Sequence, residues 1–182
     1  MKKTKMTSLA ITSSLVLSMF AATLPAMAEQ YYSDVAEDHW AYSWVDYMHG
    51  KGYIHGYPDG TYRPDQNITR AEFVTILNYV LNSRNPANKD FTDVTSEDWF
   101  YDQIQWAAGA GYLSGYSDGS AKPNQYITRE EAAVVVSKAY HLKVNENGED
   151  YTDADKASDW ALPFIKTLTN NAILNGDGNG TF

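Results

Sequence analysis

No cysteine occurs anywhere in the 182 residues, which excludes disulfides and thiol chemistry and leaves packing to hold the fold. Basic side chains are scarce: 14 lysines and arginines stand against 23 aspartates and glutamates, a formal net charge of −9. A chain this acidic lacks the broad basic face that a phosphate backbone requires, which excludes nucleic acid as a partner and disfavours adsorption to anionic lipid. An anionic ligand must then be met by a few placed cations rather than by the overall field. Long apolar runs are also lacking, apart from Leu9 to Ala22. That run follows Lys2, Lys3 and Lys5 and leads to Ala26-Met27-Ala28, a small-x-small cleavage pattern. Residues 1–28 therefore read as a secretory signal peptide; the run is short for a bilayer span, and once it is cleaved no membrane contact is expected. The four histidines, His39, His49, His55 and His141, show neither metal spacing nor a partnered nucleophile. No catalytic set, metal or cofactor is indicated, and the chain reads as a non-enzyme.

Aromatics and internal repetition are what the sequence does have. Its 14 Tyr, 6 Phe and 5 Trp suit sugar-facing surfaces and ordinary cores alike. Sliding the chain by 59 residues places Tyr32-Ser33-Asp34-Val35 on Phe91-Thr92-Asp93-Val94, and Trp40 on Trp99. The same shift aligns Gly56-Tyr57 with Gly115-Tyr116, Asp59-Gly60 with Asp118-Gly119, and Ile68-Thr69-Arg70 with Ile127-Thr128-Arg129. No gap is needed over about fifty residues, which marks a duplicated unit. A third copy opens at Tyr151-Thr152-Asp153 and brings Trp160 onto Trp99 at an offset of 61. Repeats are expected at 31–82, 90–142 and 150–182, the third incomplete at Phe182 and the sequence a fragment of something longer.

Each unit reads as helix, glycine-rich loop, capped helix. The first helix is expected from about Ala41 to His49 and from Tyr101 to Ala108, ended by Gly50 and Gly52 or Gly109 and Gly111. Trp44, Val45, Tyr47 and Met48 form its expected apolar face. Gly56-Tyr57-Pro58-Asp59-Gly60-Thr61 is a turn signature. Thr69-x-x-Glu72 and Thr128-x-x-Glu131 are capping boxes that open a second helix. Behind them, Phe73, Ile76, Leu77 and Val80, and Ala132, Val135, Val136 and Ala139, form the expected buried stripes. A unit of about 55 residues has a thin core, so the copies should pack on one another.

Several residues carry two readings. Arg70 and Arg129 sit at the first position of a capped helix, where an anion is favoured and a guanidinium fork suits a carboxylate; they are equally ordinary solvated arginines. Trp40, Trp99 and Trp160 either stack on sugar rings or plug the core. Tyr57 and Tyr116, on the loops, are better placed to reach a ligand. Glu72 and Glu131 resemble an acid/base pair only superficially, since nothing separates their proton affinities. Asn175 to Gly180 alternates oxygen side chains as the start of a calcium loop does, but the would-be twelfth position lies beyond Phe182 and the first copy has Gly56-Tyr57-Pro58-Asp59-Gly60 at this place, which ligates nothing obvious, so no metal is assigned.

Taken in order, Tyr32-Ser33-Asp34-Val35, His39-Trp40-Ala41, Gly56 to Tyr62 and Ile68 to Glu72 resemble the S-layer homology family. The second copy departs from that pattern with Ser117 for Pro, Ala121 for the aromatic and Glu130 for Ala. The resemblance implies an all-α, pseudo-threefold bundle with ligand grooves between neighbouring copies. It also implies binding of secondary cell-wall polysaccharide with pyruvylated sugar ends, with Arg70 and Arg129 near the ligand. The expected role is non-covalent anchoring of a secreted protein at the bacterial wall or S-layer. A longer surface enzyme carrying this anchor, and a self-assembling surface-layer protein, are the alternatives.

Overall fold

The structure, a computed structural model, describes residues 30–145, 151–176 and 180–182. The expected signal peptide and Asp177 to Asn179 of the calcium-like loop lie outside the described residues.

Five α-helices carry the described chain: α1 (Tyr42–Gly50), α2 (Arg70–Leu81), α3 (Tyr101–Gly109), α4 (Arg129–Ala139) and α5 (Leu162–Asn170), with a 3₁₀ turn at Ala154–Lys156. Among the described residues the only β pairing is one antiparallel bridge, Thr69 to Tyr126, so the all-α expectation holds. Both capping boxes are complete. Thr69 accepts from the Glu72 amide while the Glu72 carboxylate takes the Thr69 N–H at 2.8 Å; Thr128 and Glu131 do the same. The shorter helices α1, α3 and α5 have no side-chain cap. All five helices end in a left-handed residue that returns two amides to the last turn. For α1, Gly52 (φ 71°) donates to His49 and Tyr53 donates to Met48. In α5 that left-handed position is Ala172 (φ 54°), where the earlier copies have glycine.

The buried stripes differ from the periodicity expectation. In α1 only Val45 is fully buried, with Ala41 just before the helix; Trp44 and Tyr47 are 72% and 54% exposed. In α2 the buried positions are Arg70, Ala71, Val74, Leu77 and Asn78, whereas Phe73, Ile76 and Val80 are half-buried. In α4 they are Ala133, Val135, Ser137 and Ala139, with Ala132 and Val136 at the edge. The helices turn small and polar residues inward because another repeat, not a single core, receives them. Asn78 is fully buried and donates to the Gln103 carbonyl and side chain at 2.9 Å, and it accepts from the Tyr112 hydroxyl.

Packing runs from one copy to the next. Helix α2 lies on α3, and α4 lies on α5. The largest cluster joins Ala71, Val74 and Leu77 of the first copy to Phe91, Phe100, Ile104, Ala107, Tyr112 and Leu113 of the second. A smaller one joins Ala133 to Ala161, Ile165 and Leu168. The copies therefore share cores, as the thinness of one unit requires. Glu130, the odd residue of the second box, accepts from the Ser158 amide (2.7 Å) and hydroxyl (2.9 Å), tying α4 to the start of the third copy. The linker before the second copy is also fixed. Buried Gln105 takes the Lys89 amide and donates to the Lys89 carbonyl, and the Asn85 backbone passes over Gly109 so closely that a Cβ there would collide.

Candidate functional site

The glycine-rich loops are built identically in both complete copies. Asp34 accepts the amides of Tyr62 and Arg63 at 2.8 and 2.7 Å, and Asp93 accepts those of Ala121 and Lys122 at 2.8 Å. In the third copy Asp153 takes the Phe182 amide. The aspartate of the opening motif thus pins the far side of its loop, a role the pattern alone did not reveal. Asp59 and Asp118 close the turn through Thr61 and Ser120, as expected of turn formers. Gly56 (φ 67°) lies under the Tyr32 ring and Gly115 (φ 74°) under Phe91, leaving no room for a side chain.

From this loop Tyr57 donates to Glu72 Oε1 at 2.7 Å, and Tyr116 donates to Glu131 Oε1. Burial first, and then these hydrogen bonds to carboxylates, push each tyrosine up to about 12. Burial alone would raise Glu72, but the Thr69 N–H, the Tyr57 hydroxyl and the Thr69 hydroxyl outweigh it and hold the carboxyl below its usual range. The box glutamates therefore cap helices and fix loop tyrosines together.

The two arginines have different fates. Arg70 is 6% exposed. Its Nη1 lies 3.3 Å from Glu131 Oε2, its Nε donates to the Ala121 carbonyl at 3.0 Å, and its guanidinium sits 4.8 Å over the Tyr116 ring. Its own amide and that of Ala71 donate to Gln125 and Pro123 of the second copy. Arg129 is exposed, with one Nη2 contact of 3.4 Å to the Asn175 carbonyl and its guanidinium 4.9 Å over Phe182.

Tyr57 and Glu72 line an open cleft of about 640 Å³ with Tyr53, His55, Tyr62 and Trp99. Trp99 comes from the second copy, so the cleft lies across a repeat boundary. Trp40, Trp99 and Trp160 are all exposed rather than core residues. The cleft contains Arg63, which stacks 4.0 Å over Tyr57 and pairs with Asp59 at 2.7 Å; the Thr61 hydroxyl first, and then this guanidinium, hold the Asp59 carboxyl down at about 2. Lys122 occupies the same place over Tyr116 at 4.0 Å. Sequence reasoning passed over this cation, although its recurrence four residues after Asp59 and Asp118 was a usable signal. Among the sequence candidates, the structure brings Tyr57, Glu72 and Trp99 together at the cleft. It groups Arg70, Tyr116, Thr128 and Glu131 at the repeat boundary, and leaves Trp40 and Arg129 apart from both.

Among the described residues no cluster of three His, Asp or Glu side chains could hold a metal ion, and no helix is long and apolar enough to cross a membrane.

A family profile described as the S-layer homology domain matches residues 31–74, 90–133 and 150–182. The chain is 38% identical over 120 residues to cell surface glycoprotein 1 of Acetivibrio thermocellus, covering 59% of this chain and 5% of that one. It is 31% identical over 158 residues to an amylopullulanase of Thermoanaerobacterium thermosulfurigenes, covering 83% and 8%. It is 31% identical over 114 residues to a cellulosome-anchoring protein of Acetivibrio thermocellus, covering 59% and 25%. The chain thus spans a quarter or less of each of these relatives.

Proposed function

From the premise that this chain belongs to the S-layer homology domain family, we propose that it is a wall-binding module holding a secreted protein non-covalently at the bacterial cell surface. Its ligand is secondary cell-wall polysaccharide carrying acidic, pyruvylated sugar ends. The observation that carries this reading is the cleft across the repeat boundary: aromatic faces of Tyr57, Tyr62 and Trp99 suited to sugar rings, beside the Arg63 cation suited to a carboxylate. A relative named for cellulosome anchoring supports the same role. The helix pairings α2 on α3 and α4 on α5 support the further reading that the copies are arranged about a pseudo-threefold axis.

The match to an amylopullulanase favours a second reading of the whole protein, a surface enzyme for which this module is the anchor; the module's own task is then unchanged. The test is sedimentation of the chain with purified wall sacculi before and after removal of the non-peptidoglycan polymer. Binding that vanishes with the polymer and weakens about tenfold or more in Trp99→Ala and Arg63→Ala is expected. Binding that survives stripping would redirect the ligand to peptidoglycan, and no binding to intact walls would sink the proposal.

A further inference from the structure

The two repeat boundaries are closed differently toward the C-terminal ends of α2 and α4. At the first boundary, buried Asn78 of α2 bonds to Gln103 of α3 and to the Tyr112 hydroxyl. Arg84 covers this group. Its Nη1 donates to the Asn78 carbonyl at 3.2 Å, and its guanidinium lies 4.9 Å from the Tyr79 ring and 4.6 Å from the Trp106 ring. At the second boundary Ser137, Phe164 and Ile173 stand in place of the bonded trio, and Lys138, Lys143 and Thr167 in place of Tyr79, Arg84 and Trp106. A hollow of about 500 Å³ opens there, lined by Ser137, Lys138, His141, Leu142, Val144 and Phe164. None of these six lines the cleft of the first copy.

Ser137 is the residue that ordinary helix chemistry does not explain. It is 1% exposed, and its Oγ has no hydrogen-bond partner among the described residues. A hydroxyl inside a helix can donate to the carbonyl four residues back, as Thr75, Thr167 and Thr169 do here at 2.7, 2.7 and 3.0 Å. Ser137 forgoes that bond and lies at the base of the hollow. Buried polar groups are as a rule paired, so a lone one beside an open hollow points to a ligand. Lys138, in the last turn of α4, and His141 just beyond it would by themselves only complement the negative end of that helix. Beside an unpaired hydroxyl they are cations placed one by one, as an acidic chain must place them to hold an anion. Leu142, Val144 and Phe164 add an apolar wall, and the volume falls in the range of roughly 300–1,000 Å³ typical of small-molecule sites.

We propose that this hollow is a second binding site, and that its ligand is a carboxylate borne on a ring of monosaccharide size. The carboxylate points inward and accepts from Ser137 Oγ and the Lys138 ammonium, with His141 at the rim. The ring lies against Phe164, Leu142 and Val144. An acidic sugar unit of a glycan and an aromatic acid both carry that chemistry. The inference stands on the second boundary alone and does not rest on the wall-binding reading of the cleft.

The isotope-labelled whole chain is titrated with sodium glucuronate and, separately, with sodium benzoate, and amide shifts are followed by NMR. Methyl glucoside and benzyl alcohol serve as the uncharged counterparts. Saturable shifts are expected at Gly111, Ser137, Lys138 and Leu142 with at least one acid, and about tenfold or more weaker binding of its uncharged counterpart. Response to glucuronate alone identifies a glycan unit as the source, and response to benzoate alone a non-sugar acid. Lys138→Gln should weaken binding about tenfold and Ser137→Ala about fivefold. Ser137→Ala removes a buried hydroxyl that makes no bond in the free chain, so Tm should stay unchanged or rise; a purely structural hydroxyl would lower Tm and leave affinity untouched. Should Ser137→Ala fail to fold, Lys138→Gln decides alone. The proposal is overturned if neither acid shifts the hollow, if the uncharged counterparts bind as well, or if affinity is indifferent to these substitutions. Shifts confined to the cleft around Tyr57 and Trp99 would also overturn it, while leaving the wall-binding proposal in place.

Discussion

Arg70 of the first capping box is paired with Glu131 of the second, Nη1 to Oε2 at 3.3 Å, with both side chains largely out of water. Glu131 is at once the cap of α4, the acceptor of the Tyr116 hydroxyl and the counter-charge of a buried guanidinium. Its equivalent Glu72 has the first two roles, and Arg63 of its own loop is the nearby cation. The same residue type at the same motif position thus carries different amounts of the structure.

Glu131→Ala should accordingly cost far more than Glu72→Ala. Removing one partner of a buried pair costs about 3 kcal/mol or more, whereas loss of a box glutamate and one hydroxyl contact costs about 1 kcal/mol. Urea unfolding of the two variants measures the difference, and equal losses would refute the buried clasp.

Ala172 takes the left-handed position that Gly52 and Gly111 take in the other copies. Ala172→Gly should stabilise by about 1 kcal/mol, and Gly111→Ala should destabilise by a similar amount. Thermal unfolding checks the opposite signs.

Tyr57 and Tyr116 should ionise only near 12. Their folded values lie above the unfolded value of 10.0, so the stability linked to them is complete below pH 10 and falls as pH rises from 10 toward 12. Alkaline titration followed by tyrosinate absorbance should show a late step, and Tyr57→Phe/Tyr116→Phe should remove it. The sign reverses for Glu72, whose folded value lies below the ordinary 4.5. Its contribution is present above pH 4.5 and is lost as pH falls through the lowered value, so Glu72→Gln should flatten acid unfolding there.

Glu130→Ala should loosen the third copy selectively, because it removes the two bonds to Ser158. Hydrogen exchange of the α5 amides should quicken by about tenfold while α2 and α3 keep their protection. Uniform acceleration would show that the third copy does not open on its own.

The repeat, the order of helices and the capping boxes were legible in the sequence because each depends on neighbours a few residues apart. The spacing of Thr69 and Glu72 specifies a cap wherever the helix goes. The buried faces were less legible. Periodicity assigns Trp44 and Tyr47 to the apolar side of α1, yet burial depends on whether another helix lies there, and α1 leaves them in water. Asn78 lies inward because Gln103 and Tyr112 of the neighbouring copy receive it, which no single-helix pattern encodes. At the cleft, the reach of Tyr57 was legible from its loop position, whereas the sequence left Trp99 open between core and surface. Arg63 was not legible, since its importance comes from folding back over Tyr57, and Arg70 looked exposed because its enclosure is made by residues 46 to 61 positions away.

The clasp between boxes also bears on how such a protein can change over generations. A substitution at Arg70 alters the surroundings of Glu131, Tyr116 and Ala121 in the next copy. Duplicated units are ordinarily free to drift apart, but here the boundary between the first two copies binds the fate of one unit to its successor. Lasting divergence at these positions then comes as matched changes on both sides of a boundary, and a unit transplanted from another protein has to bring a compatible neighbour with it.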